Sequence, residues 1–490
     1  MIVCAVEIRE HLSTIGSSIL SQIPNNQFLR PGMQTSQRVN SHQTSALRSL
    51  AILAIVFGGW LPNVACGQDW LEFRGPGGTG MSDAHDLPTT ITEANTKWRT
   101  ELPGRGWSSP VVSGNDIWMT TAIEQIASKE ETAARLKTAP IPGLEVREEV
   151  RLQALCVDRD SGKLRHQIDL FSVNQPPLIH KLNSFASPTP VIDGDFVYCS
   201  FGAMGTAAIR RDNGKVVWRN TEVKLEHETG PGSSPIVFDD LLIVHCDGTD
   251  KQFVTALQKN DGRIAWQQTR SGEMHPQGMM KKAFATPSLL ATPDGPQLIS
   301  PAANWIYGYN PRTGAELWKV YYGELGFSNA PRPLIGNGMI YICTGFNRST
   351  LLALNCEGKS KLSEADIAWR YTKQVPAMPT PILVDKLLFM VSDAGVATCL
   401  DALTGEEHWQ ERLGGEFSSS PILADGRLYF GNRSGKIFVI APTAEYELLG
   451  NGQLDSAIMA TPLALDNHLI IRTKDSLYRL ENERLVPTKD

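Results

Sequence analysis

Residues 378–413, MPTPILVDKLLFMVSDAGVATCLDALTGEEHWQERL, hold one complete unit of a pattern that fills most of this chain. Short runs rich in Val, Ile, Leu and Phe alternate with polar turns, and no apolar stretch keeps a 3.6-residue period, so the unit reads as four β-strands. The first two, Ile382 to Val384 and Leu387 to Val391, are joined through Asp385-Lys386. Ser392 to Gly395 turns the chain into a third strand, Val396 to Leu400, and Ala402 to Gly405 into a fourth, Glu407 to Arg412.

The unit recurs. An Xaa-Pro pair followed by a short apolar run occurs at Pro110, Pro190, Pro235, Pro287, Pro333, Pro381, Pro421 and Pro462. After a first gap of 80 residues these prolines lie 40 to 52 apart, the length of one four-stranded propeller blade. A fourth-strand aromatic follows at Trp218, Trp266, Trp318, Trp369 and Trp409, with His166 in its place in the first repeat and Tyr446 in the seventh. The eighth repeat ends at LYRLENERL without one, whereas KWRTEL around Trp98 has a fourth-strand pattern and no three strands before it. The expected fold is therefore all-β: an eight-bladed β-propeller of four-stranded antiparallel blades, closed by the N-terminal strand around Trp98 so that no sheet edge stays open. Residues 97–483 form the ring in this reading, after a lead segment at 68–96 and before a tail at 484–490. The stretch 122–152, with the charged, helix-like IEQIASKEETAARLKTAP, is expected as an insertion projecting from blade 1, where it could lid the channel or dock a partner.

The repeated residues have scaffold roles. Proline pre-sets φ and donates no hydrogen bond, which suits the first residue of an innermost strand. Glycines such as Gly162, Gly214, Gly262, Gly314 and Gly405 suit turns that need positive φ. A Trp repeated at one blade position is expected to pack between blades.

At the N-terminus, LAILAIVFGGWL (50–61) follows Arg48 and precedes Ala65-Cys66-Gly67. A dozen apolar residues are too few to span a bilayer and match a secretory signal peptide, so residues 1–67 are read as extension and signal, cleaved near Gly67, with Met33 as an alternative start. Lipidation of Cys66 is the lesser alternative, since Asn63 stands where a lipobox prefers Leu. Nothing downstream is long and apolar enough for a membrane helix. A periplasmic or secreted protein is the expectation.

Composition agrees: 41% hydrophobic, 20% charged and a formal charge of −6. That acidic balance argues against nucleic acid as a partner. Of the six cysteines beyond the signal, Cys156, Cys199, Cys246, Cys343, Cys356 and Cys399, three (Cys199, Cys246, Cys343) sit near the end of a second strand and two (Cys156, Cys399) share a third-strand position in different blades, so buried thiols are expected rather than disulfides. A closed ring needs no partner to protect an edge, and a monomer is expected.

Loops entering the innermost strands, and loops between second and third strands, should open on one face around the channel. Their polar residues make that face a candidate binding site: His180, Lys181, Asn183, His227, Asp247, Asp250, Lys282, Asn304, Trp305, Arg332 and Arg348, with Trp107, Lys281, Asn329 and Arg433 nearby. In HKLNSFASPTP (180–190), the His, Lys and Asn could bind an anion or polar ligand, or Asn183 and Ser184 could only cap turns. CDGTD (246–250) beside His227 could offer Ca²⁺ oxygen ligands, but Asp-Gly is also ordinary hairpin-turn chemistry. No metal site and no catalytic residue is assigned.

The segments DALTGEEHW (401–409), NPRTGAELW (310–318) and RDNGKVVW (211–218), together with the [ST]-P-hydrophobic starts, resemble the repeats of pyrroloquinoline-quinone-type eight-bladed propellers, over about residues 97–483. WLEFRGPGGTG (70–80), HKLNSFASPTP and GPGSSP (230–235) look like segments of secreted propellers abundant in planctomycete-type bacteria. The same repeat is similar in quinoprotein alcohol dehydrogenases and in the barrel-assembly lipoprotein of outer membranes, so the resemblance implies a fold and leaves two functions open. One is an exported, non-enzymatic binding or scaffold module for an envelope protein, a glycan or a small polar ligand. The other is a dehydrogenase with pyrroloquinoline quinone and Ca²⁺ at the channel mouth. Against the second stand the lack of an adjacent Cys-Cys pair and of any Asp that a local motif matches to the enzymes' base.

Overall fold

The computed structural model describes residues 69–137 and 141–482. The stretch read as a signal peptide, Cys66 and the 484–490 tail lie outside these residues. The repeats fold as expected, into eight antiparallel blades arranged as a propeller. In the unit read first, the strands are Ile382–Val384, Leu387–Val391, Val396–Asp401 and Glu407–Arg412, paired in sequence order. Thr96–Glu101 pairs antiparallel with Ser476–Glu481 and completes the eighth blade, as the Trp98 pattern predicts. One fourth strand departs from expectation. In blade 7 it is Leu448–Gln453, so Tyr446 precedes it and packs edge-on against Trp409 of blade 6.

The Gly and Trp of the repeat meet across blade boundaries. The indole N–H of Trp98 donates to Arg159 O (3.0 Å), that of Trp218 to Lys259 O (2.8 Å), and that of Trp369 to Ala402 O (3.2 Å), each in the third-to-fourth-strand turn of the next blade. The turn glycine lies beneath the same ring. A Cβ on Gly262, whose φ is +75°, would sit 2.4 Å from Trp218. Glycine is thus required twice, by the left-handed backbone and by the indole.

Blade 1 differs from the expected projecting insertion. Its second and third strands are lengthened to Asp116–Ile126 and Arg147–Asp158 and pair almost throughout, and among the described residues of the tip only Lys129–Leu136 is helical. The hairpin folds back over blade 2: Leu144–Glu145 pairs with Ile179–His180, and Phe171 packs on Phe201. An ion-paired square of Arg105, Glu124, Arg147 and Glu145, with N···O distances of 2.6 to 2.9 Å, fastens it.

The lead segment is threaded through the ring. Trp70 exchanges backbone hydrogen bonds with Val112 of blade 1, Leu71 O accepts from Ile192 of blade 2, and Met81–Ser82 runs parallel to the innermost strand of blade 7. Between these points the chain crosses the channel. Arg332 of blade 5 donates to Glu72 Oε2 (3.0 Å) and Phe73 O (2.7 Å), while Arg74, fully buried, donates to the carbonyls of Pro381 and Pro421 at 3.0 and 3.1 Å.

Candidate functional site

The residue before each repeated proline carries a hydroxyl in seven blades of eight, and these residues form a hydrogen-bonded ring around the axis. Each backbone N–H donates to the hydroxyl of the next blade: Ser109 to Thr189, Thr189 to Ser234, Ser234 to Thr286, Thr380 to Ser420, Ser420 to Thr461 and Thr461 back to Ser109, at 2.9 to 3.2 Å. Blade 5 breaks the sequence of hydroxyls. Arg332 donates its N–H to Thr380 (3.0 Å) but offers Thr286 no oxygen, and its guanidinium turns inward to hold the threaded segment.

Above this ring is a cavity of about 150 Å³ with Phe73 in its wall. Every blade contributes the residue three before its proline: Trp107, Ser187, Gly232, Phe284, Ala330, Met378, Ser418 and Met459. Leu182, Asn183 and the ring residues complete the lining, which includes no ionisable side chain. The channel mouth is therefore largely apolar with a hydroxylated base, which corrects the expectation of a polar mouth rich in cations.

The residues singled out from the sequence disperse around it. Asn183 lines the cavity, but its amide is committed: Nδ2 donates to Thr229 O and Pro231 O, and Oδ1 accepts from Ser187 and from the Ser184 N–H. His180 is half-buried at the rim, and burial, then the nearby Lys181, Lys282 and Arg433 charges, hold its pKa below the ordinary value against the pull of Glu145. Lys181 is exposed, while Lys282 is buried in an ion pair with Glu228. Arg433 donates to Ser418 Oγ (2.7 Å) and pairs with Glu416. Arg332 is enclosed by Glu72 and Phe73. Asn304 adopts φ +67° in a turn and accepts from the Tyr322 N–H, next to Trp305, whose indole donates to Glu273 O. Lys281 is half-buried at the end of a short 3₁₀ turn, Gly278–Lys281. Asn329 is buried against Tyr322, and Arg348 is exposed on a loop of blade 5.

The CDGTD residues do not converge on a cation. Asp247 is fully buried between His245 (2.6 Å) and Arg270 (2.9 Å); burial alone would raise its pKa, but Arg270 and His245 together hold it low. Asp250 instead accepts the Glu226 N–H at 2.7 Å. His227 accepts the Ala203 N–H, and burial lowers its pKa to about 4 against the opposing pull of Asp250. The calcium reading of this loop is corrected: one carboxylate is internally paired and the other caps a turn. Among the described residues no group of three or more His, Cys, Asp or Glu is placed to hold a metal.

Reading single residues missed two features. One is the His245–Asp247–Arg270 cluster, with Arg270 4.9 Å from the Tyr307 ring centroid, which joins blades 3 and 4. The other is Asp393, whose carboxyl is pushed up by burial and accepts the Ala377 N–H (2.6 Å), behind Met378. The cavity lining itself has a sequence signal, the column three residues before each proline.

The sequence model of a family described as outer membrane protein assembly factor BamB matches residues 152–367 and 302–444. Among curated relatives, outer membrane protein assembly factor BamB of Yersinia pestis is 22% identical over 233 residues, covering 46% of this chain and 55% of that protein. The tetrathionate hydrolase of Acidithiobacillus ferrooxidans is 25% identical over 264 residues, covering 51% and 50%. The chain thus spans about half the length of these relatives. Two solved structures share the fold at 11% identity and a TM-score of 0.59 each. One is a europium-containing methanol dehydrogenase, with 84% of this chain and 98% of that one aligned; the other is quinohemoprotein alcohol dehydrogenase from Comamonas testosteroni, with 85% and 81%. With more than half of its residues matched to that family's model, and folded as eight antiparallel blades, the chain belongs to the BamB-like family of PQQ-type repeat propellers.

Proposed function

We propose that this protein is an exported, non-enzymatic binding or scaffold module of the cell envelope, engaging its protein, glycan or small-molecule partner through the face on which the channel mouth opens. One observation carries the reading: all eight repeats converge on a cavity with apolar walls and a hydroxylated base, and no ionisable side chain lines it. Such a lining can bind, but it offers no carboxylate, histidine or lysine to act as general acid or base. The relatives named as outer membrane assembly factors favour an envelope partner.

The quinone reading fits these residues poorly. Ca²⁺ takes six to eight oxygen ligands, usually including carboxylates, and no carboxylate lines the mouth. A cavity of about 150 Å³ is of the size that takes one benzene ring, whereas pyrroloquinoline quinone is a three-ring tricarboxylate.

The test is site-specific photocrosslinking in the native envelope. A benzophenone side chain at Lys181, on the rim, should give discrete adducts with one partner, while the same group at Val217, on an outer strand, should not. Equal labelling at both positions, or none at the rim, would remove this face as the binding surface. Near-ultraviolet titration with quinone and Ca²⁺ tests the alternative, and a saturable spectral change would revive it.

A further inference from the structure

The mouth is apolar to the eye but electropositive in its foundations. Arg472 is buried and its Nη1 donates to Ser108 O (3.0 Å), Ser108 Oγ (2.7 Å) and Thr120 O (2.9 Å), with no carboxylate partner among the described residues. Ser108 directly precedes the ring residue Ser109. At blades 6 and 7 Arg74 likewise bonds only carbonyls, those of Pro381 and Pro421 directly following the ring residues Thr380 and Ser420, and those of Gly78 and Thr79 in its own segment. Arg332 stands in the ring itself. Among the described residues these three guanidiniums have one carboxylate partner, Glu72. Burial lowers the pKa of Arg74 and Arg472 to about 9, with Arg332 adding to the effect at Arg74, so both remain charged at neutral pH. The Asp393 carboxylate nearby is turned to the backbone behind Met378 and does not line the cavity.

The ring hydroxyls add to this field. Each accepts a backbone N–H, and none donates its proton to an acceptor among the described residues. O–H groups with free protons, backed by unpaired guanidiniums in a medium of low dielectric, favour negative charge. The walls above them, Trp107, Phe284, Met378 and Met459, favour an apolar body.

We infer that the channel mouth is a binding site for a single carboxylate carried on an apolar group of about one aromatic ring: the carboxylate faces the hydroxyl ring and the apolar group lies against the walls. The inference rests on the mouth being the binding face and names the chemistry bound there. Its source is a free organic acid or the C-terminal carboxylate of a chain ending in an apolar residue.

The test uses the full chain and calorimetric titration with benzoate, and with benzamide as its neutral counterpart. Saturable benzoate binding is expected, with benzamide at least about tenfold weaker, as follows from losing hydrogen bonds to a charged group. Met378→Glu should abolish benzoate binding, while the size-matched Met378→Gln preserves it. Arg472→Met should weaken benzoate roughly tenfold and leave benzamide unchanged. N-acetylphenylalanine and its amide then separate the sources: acid-selective binding much tighter than benzoate indicates a chain terminus, and binding equal to benzoate a free acid. The proposal is overturned if benzoate shows no saturable binding, if benzamide binds as well, or if the two Met378 variants behave alike. Rim crosslinking to a partner without carboxylate binding would sink the ligand class alone, whereas loss of both would take the binding face with it.

Discussion

The Gly–Trp contact, made at four blade boundaries by Gly162, Gly262, Gly314 and Gly405, can be tested one atom at a time. Gly262→Ala places a methyl 2.4 Å from the Trp218 ring on a backbone with φ +75°. Gly194 also has positive φ, +54°, but nothing lies within 4 Å of its added Cβ. The backbone cost alone, about 1 kcal/mol, is expected for Gly194→Ala, and about 3 kcal/mol for Gly262→Ala, where overpacking adds to it. Denaturant unfolding of both variants measures the difference, and equal losses would remove the indole contact as the reason for the glycine. Titration at single residues gives a second prediction. His227 and His468 are buried with pKa values lowered to about 4 and about 3; desolvation is the main cause, reinforced at His468 by Arg479 and Arg159. An unfolded chain binds protons at both below about pH 6.5 while the folded one does not, so stability present above that pH falls as pH drops toward 4. The slope is about 1.4 kcal/mol per pH unit for each histidine. His468→Gln should flatten it by its own share, and a slope unchanged in that variant would exclude His468 as a contributor.

At the scale of elements, the blade 1 hairpin is where sequence and structure part. Its charged run reads as a projecting helix because IASKEETAARL has helical composition, but the flanking residues belong to long paired strands whose partners lie across the turn, beyond the reach of a local pattern. Glu124 sits between Arg105 and Arg147, so Glu124→Gln leaves two arginines facing Glu145 and should cost about 3 kcal/mol, the range for breaking a buried pair. Glu145→Gln, at the more exposed corner, should cost about 1 kcal/mol or less. Chemical denaturation of the two variants checks the ranking, and the reverse order would refute the square as the fastening. The same contrast of local and distant explains the site. Propeller strands and their turns were legible because Pro, Gly and Trp act within one repeat or against the next. The mouth was not legible from residues such as Lys282, Asp247 and Arg332, since polar loop side chains are as often consumed by partners elsewhere in the fold, here Glu228, Arg270 and Glu72. Its lining follows from aligning repeats on their prolines, which shows Trp107, Phe284, Met378 and Met459 in one column.

At the scale of the whole molecule, the ring depends on its first described residues twice: once for the strand Thr96–Glu101 and once for the segment that Arg332 and Arg74 hold across the channel. A chain beginning at residue 96 keeps the closing strand and loses the threaded segment. It is expected to melt cooperatively but several degrees lower, with Arg332 left without its carboxylate. A chain beginning at residue 104 loses both, and the edge of blade 8 opens. Calorimetry of the second should show no single cooperative transition, and melting like the intact protein would overturn the closure of the ring through Trp98.

The meeting of the two chain ends also sets a clock. Asn95 Nδ2 donates to Glu481 O, and these residues are 386 positions apart. At bacterial-scale synthesis of about 5 to 20 residues per second, the early strand waits roughly 20 to 80 s for its partner to be made. Seven blades can be complete while the eighth is still missing, and Thr96–Glu101 stays without Ser476–Glu481, the strand that pairs with it. The newborn protein is therefore most vulnerable late, so proteolysis and mispairing during production should concentrate at residues 69–101, and a holdase acting on this chain would be needed at its beginning rather than at its end.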